Sequence, residues 1–161
     1  MKPPPGPPLK RITQSVLWLR IPENWTVETR PGGGLHARDH VNYRGSLWLD
    51  VITSRSPAPI ADVSQLLKPG QYPGARLLKS QDGVAVLEYE TDSRENDESI
   101  HSWMWEMANV VDGRLCRIGF LSFAVPESLR ADRDVEALVA LFRQEAANVT
   151  FLGRQAFEDA D

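Results

Sequence analysis

Three side chains close together in sequence, His36, Asp39 and His40, have the types that ligate metals or exchange protons. Zinc takes imidazole nitrogen and carboxylate oxygen from three or four protein ligands. On a strand, the side-chain period of two puts His36 and His40 on one face and turns Asp39 away, which leaves a pair with no third ligand close by. On a helix the same spacing could clamp zinc, but the segment follows three glycines and holds no Glu-x-x-His pair. His36, Asp39 and His40 are therefore expected to be exposed polar residues at a loop edge rather than a metal or acid-base site. His101, beside Ser102, and Asp50 lie far apart in sequence, so they define no Ser-His-Asp machinery, and no Gly-x-Ser-x-Gly is present.

Two further stretches have the composition of sites. Pro31-Gly32-Gly33-Gly34 has neither a following Lys nor a helix behind it, so it cannot cradle phosphate and reads as a hairpin loop. Residues 90–98 hold five carboxylates and one arginine. A calcium loop starting at Asp92 would need glycine at its sixth position, where Asp97 stands instead. The stretch reads as a solvated hairpin loop, and Glu95, Asp97 and Glu98 are its candidates for meeting a partner.

Five tryptophans, Trp18, Trp25, Trp48, Trp103 and Trp105, are many for 161 residues. Core filling accounts for most such rings. A C-terminal helix can cover only one face of a sheet, so Trp48 or the pair Trp103 and Trp105, which share a strand face, are candidates for an exposed anchor patch.

These residues must be positioned by a soluble globular chain, with 42% apolar and 25% charged residues. Such a length bounds the chain to one domain able to bury a core without disulfides. The formal net charge of −4, with no Lys/Arg cluster, argues against nucleic acid or anionic membrane as partner. Cys116 is the single cysteine and reads as a buried thiol within a strand, in keeping with a reducing compartment. No apolar run reaches the length of about 18 residues needed to span a bilayer. The N-terminus carries prolines where a secretory signal would need an apolar core, so cytoplasmic residence is the expectation.

Along the chain, residues 1–11 read as a disordered Pro-rich tail, 12–152 as a single α+β domain and 153–161 as a polar tail. Strands are expected at 16–21, 25–28, 35–41 and 46–53, then a short helix over 60–68, then strands at 75–79 and 84–91. Asp112-Gly113 between alternating segments 100–111 and 115–123 is a strong hairpin signal. Val135, Leu138, Val139, Phe142, Ala146 and Val149 recur at helical spacing, with Ser128 or Asp132 available as cap. The fold expected is an antiparallel sheet of about six to seven strands with a long C-terminal helix and a short middle helix, an α/β/α sandwich.

The Ile21-Pro22-Glu23-Asn24-Trp25 element, the strand over 45–53 before a short helix, and the Trp-bearing hairpin before a C-terminal helix resemble the Mog1/PsbP-like superfamily, and more narrowly its small bacterial members. The resemblance spans roughly residues 12–152 and implies a binding module; no specific site carries over residue by residue, and fold alone does not fix function. The expectation is a non-enzymatic protein-binding or accessory module, monomeric or homodimeric, needing no cofactor and no metal. The alternative is a small-ligand carrier or enzyme with a pocket between sheet and helix.

Overall fold

The computed structural model describes residues 8–42, 44–81 and 83–152. They form one α+β domain. The strands are β1 (Leu9–Gln14), β2 (Leu17–Pro22), β3 (Thr26–Thr29), β4 (Leu35–Arg38), β5 (Ser46–Arg55), β6 (Arg76–Gln81), β7 (Val84–Glu95), β8 (Glu98–Val110), β9 (Leu115–Pro126) and β10 (Thr150–Phe151), and the helix α1 is Arg133–Ala147. Seven strands make an antiparallel sheet in the order β3-β4-β5-β9-β8-β7-β6, and β1-β2-β10 make a second, smaller sheet.

The hairpin β8-β9 turns at Asp112-Gly113 as its sequence requires. Gly113 takes φ +84 and the Asp112 carboxylate accepts a hydrogen bond from the Leu115 amide. The preceding hairpin, β7-β8, is longer than the sequence suggests. Asn96 and Asp97 both adopt positive φ, the geometry of a two-residue hairpin turn, so the polar stretch 92–99 is mostly strand.

Inward residues of the large sheet, Leu47, Leu49, Trp103, Trp105, Met107, Leu121 and Phe123, form the core with Val135, Val139, Phe142 and Ala146 of α1 and Leu17, Leu19 and Ile21 of β2. Trp25 tilts onto this contact, its ring 5.6 Å from Phe142 and 6.2 Å from Phe123. Asp132 caps α1 by accepting from the amides of Asp134 and Val135. Two buried carboxylates tie the layers together. Glu145 of α1 accepts from the Arg20 backbone and guanidinium, and Glu88 of β7 accepts from Arg76, Arg143 and the Trp105 indole.

Several expectations are corrected. The C-terminal helix has 15 residues, ending where Asn148 turns the chain back for β10 to pair with β2. The middle helix is two 3-10 turns, Val63–Leu66 and Pro69–Gln71, because a residue before proline avoids helical backbone and Pro69 leaves Lys68 no helical continuation. The layers are therefore not α/β/α. One face of the large sheet carries α1 and the small sheet, and the other carries the 3-10 turns over only part of its width. The ordered chain also begins earlier than residue 12: after Pro8 backbone donors are available again, and Leu9–Gln14 pairs with β2. No helix among the described residues is long and apolar enough to cross a membrane.

Candidate functional site

The outer face of the large sheet divides in two. Over β6, β7 and β8, Val63 and Leu67 of the 3-10 segment cover Ala85, Leu87, Tyr89 and Ala108, and Tyr72 stacks on Tyr89 at 3.8 Å. Burial and the hydrogen bond that the Tyr89 hydroxyl donates to Glu106 push this phenol far above its usual range, so it stays protonated. Over β4, β5 and β9, nothing comparable covers the sheet among the described residues.

Trp48 stands at the centre of that open part. Along β5, Leu47 and Leu49 point into the core and Trp48 points out between them, half-buried. The antiparallel register sets His36 of β4 directly opposite, and the two rings stack at 3.9 Å with an interplanar angle of 12°. The Arg30 guanidinium carbon lies 4.2 Å from the Trp48 ring centroid, a cation-π distance. Burial, reinforced by the Arg38 and Arg30 cations against the pull of Glu28, holds the His36 imidazole below its ordinary range. Its Nε2 is buried without a hydrogen-bond partner.

Trp48 is the wall shared by two depressions. One, of about 280 Å³, is bounded by Arg38, Ser46, Glu95, Ile100 and Ala124. The other, of about 200 Å³, is bounded by Arg30, Asp50, Met104, Phe120 and Ser122. Trp48 thus stands between charged groups of both signs, Arg38 and Glu95 on one side and Arg30 and Asp50 on the other. A third cavity, of about 360 Å³, lies on the other side of the molecule between α1 and β2, walled by Leu9, Pro22, Trp25, Leu138 and Leu141 with Asp39 and Arg44 at its rim.

The remaining candidates fall in different places. Trp103 and Trp105 do not belong to a surface patch: both face inward beneath α1, and the Trp105 indole N–H donates to Glu88 at 2.9 Å. Of the acidic trio, Glu95, Asp97 and Glu98 are exposed at the β7-β8 turn, and Glu95 reaches the groove beside Trp48. His36, Asp39 and His40 do not converge. Strand β4 ends at Arg38, so the alternation that would align the two histidines stops there. His40 bonds Thr26 Oγ1 at 2.7 Å. Asp39 is buried, not exposed as expected; burial alone would raise its pKa, but the amides of Val41 and Asn42 and the Asn42 side chain hold it below the usual range. Its carboxylate thereby serves a turn.

Cys116 is buried, with its Sγ 3.4 Å from the Arg114 carbonyl. Asp50 lies on the outer face and accepts from the Val51 amide, so it does not join His101 on the inner face. His101 instead contacts Asp92 and Glu90 at 2.7 Å each. That cluster is hidden in the sequence unless the turn is placed at Asn96-Asp97, which sets Asp92 opposite His101.

No known family's sequence profile matches the chain, and no curated protein matches it. Solved structures that share its fold include the following two. A protein from Bacteroides thetaiotaomicron VPI-5482 superposes with a TM-score of 0.57 at 14% identity, over 86% of this chain and 46% of that one. LpqN of Mycobacterium tuberculosis, described as involved in cell envelope biogenesis, superposes with a TM-score of 0.55 at 12% identity, over 90% of this chain and 91% of that one. This chain thus spans less than half the length of the first. Identities this low carry the fold and nothing further.

Proposed function

We propose that this chain is a non-enzymatic accessory module that binds a protein partner through the open half of its outer sheet face, with Trp48 as anchor and the acidic turn Glu95, Asp97 and Glu98 at the edge. The observation that carries this reading is the position of Trp48, a half-exposed indole braced by His36 and Arg30 and flanked by a depression on each side. A preorganised aromatic loses little freedom on binding, which is why such residues dominate interfaces. The partner segment offers an apolar or planar side chain to the Trp48 groove and a cation to the acidic turn. The resemblance to the Mog1/PsbP-like superfamily supports a binding role, and the net charge of −4 favours protein over nucleic acid or anionic membrane. The buried free thiol of Cys116 fits a bacterial cytoplasmic setting, with the chain as monomer or homodimer.

The test is affinity capture from cell extract with the wild-type chain and with Trp48→Ala, followed by binding of the purified partner to both. A partner that loses about tenfold or more in affinity on Trp48→Ala supports the reading. Equal binding to both overturns it.

A second reading, small-ligand carriage, is favoured by the apolar cavity against α1, where Arg44 supplies a cation at the rim while it pairs with Asp132 at 2.7 Å. None of the three histidines lines that cavity; its carboxylates are Asp39, engaged by the amides of Val41 and Asn42, and Asp134.

A further inference from the structure

Helix α1 carries two apolar stripes. Val135, Val139, Phe142 and Ala146 enter the core, while Ala137, Leu138 and Leu141 share a flank that the core covers only in part. Leu138 and Leu141 are half-buried there, and the flank is one wall of the cavity of about 360 Å³. Leu9 of β1, Pro22 at the end of β2 and the Trp25 ring complete the lining. Trp25 is 3% exposed, because the same ring packs on Phe123 and Phe142.

The charges at the mouth are already committed. Arg44 Nη1 pairs with Asp132 at 2.7 Å and Nη2 with Asp134 at 3.4 Å. The Asp39 carboxylate accepts from the amides of Val41 and Asn42 and from the Asn42 side chain. An anionic head would have to draw Arg44 from two carboxylates while coming close to Asp39. A cationic head would gain only Asp134, whose side chain is 71% exposed and whose attraction water screens. Burying either charge without a dedicated partner is costly, and an uncharged head meets neither penalty. One donor is open to it. The Trp25 indole N–H has no acceptor among the described residues, and its nitrogen is not sealed off as His36 Nε2 is. A buried tryptophan usually finds a partner for that group.

We infer that this cavity is the binding site of a small uncharged amphiphile, whose aliphatic body lies against Leu138, Leu141, Leu9 and Pro22 and whose hydroxyl or carbonyl oxygen accepts from the Trp25 indole. At about 30 Å³ for each water-sized group the volume admits about a dozen heavy atoms, the size of a medium-chain alcohol or ester. The assignment rests on the small-ligand reading above and adds the class of ligand. The cavity is on the α1 side of the large sheet and Trp48 on the other, so the site is separate from the partner surface.

The test uses the full chain with N-phenyl-naphthylamine, an uncharged fluorophore that brightens in apolar sites, displaced by decanol, decanoate or decylammonium below the range in which each aggregates. Decanol is expected to displace it, with decanoate and decylammonium each weaker by about tenfold or more. Ala137 is exposed on α1 at the edge of the cavity, so Ala137→Phe obstructs the entrance without cutting into the core, and circular dichroism checks its fold. This variant is expected to weaken both fluorophore and decanol by about tenfold or more, while Leu77→Ser on the exposed edge strand β6 leaves them unchanged. In the nitrogen-labelled wild type, decanol is expected to shift the Trp25 indole N–H resonance. Equal or stronger displacement by a charged chain, or an indole resonance that does not move, would overturn the ligand class and leave the small-ligand reading standing. Binding indifferent to Ala137→Phe would overturn the location, and uptake of none of the four compounds would overturn the assignment and the small-ligand reading together.

Discussion

The indole N–H of Trp105 donates to the buried carboxylate of Glu88 at 2.9 Å, and the same Glu88 oxygen accepts from Arg143 of α1 at 2.6 Å. One side chain thus satisfies a core tryptophan and locks the helix onto the sheet. Removing it strands the Trp105 donor and leaves two guanidinium groups without their anion. Glu88→Ala is expected to cost about 2–4 kcal/mol in urea denaturation, discounted for the partial exposure of Arg143 and Arg76. A loss below about 0.5 kcal/mol would remove Glu88 as a tie between the layers.

The same residue sets a pH dependence. Burial alone would raise the Glu88 pKa, but Arg143, Arg76 and Trp105 together outweigh it and hold the group below its ordinary value of 4.5. A carboxylate depressed in the folded chain contributes stability that is fully present above the unfolded value and is lost as pH falls through the folded one. The stability gap between wild type and Glu88→Gln is therefore expected to be largest near neutral pH and to shrink below about pH 4.5. Urea midpoints measured at several pH values decide it, and a gap independent of pH contradicts it.

Gly45 shows how tightly the entrance to β5 is built. Its φ is +119, and a Cβ there would lie 2.7 Å from the Ala124 carbonyl oxygen and 2.8 Å from Val125. Gly45→Ala is expected to destabilise by about 2 kcal/mol or more, because both the backbone conformation and the neighbouring strand resist the methyl group. A thermal midpoint equal to that of wild type would contradict this packing.

The tryptophans separate by role. Trp105→Ala opens a cavity beneath α1 and is expected to cost about 3–5 kcal/mol. Trp48→Ala removes one cross-strand stack on an open face and is expected to cost about 1 kcal/mol. Chemical denaturation of the two variants checks the order, and equal losses would place Trp48 in the core.

Much of the architecture is legible in local chemistry. Asp112-Gly113 marks the β8-β9 turn, and the apolar spacing over 135–149 marks the helix that caps it. What local pattern does not reveal is set by pairing. Leu9–Gln14 looks like the end of a proline tract until β2 offers it a partner. Asn96-Asp97 lacks the glycine that usually signals a tight hairpin, so residues 92–99 read as loop although both turn residues reach positive φ. That turn fixes the register that sets Asp92 opposite His101, and without it the histidine looks isolated. Trp103 and Trp105 share one strand face, as alternation requires, but alternation does not say which face α1 will cover. Trp48, on the opposite side of the sheet, is the candidate that topology leaves open.

The central claim is that a partner contacts the outer face around Trp48, and the most direct measurement is an amide and indole chemical-shift map of the labelled chain titrated with that partner. The largest shifts are expected at the Trp48 indole and in residues 35–38, 46–50 and 120–124, with the turn Glu95, Asp97 and Glu98 following. Shifts confined to α1 and to Leu9, Pro22 and Trp25 would contradict it and assign binding to the apolar cavity instead.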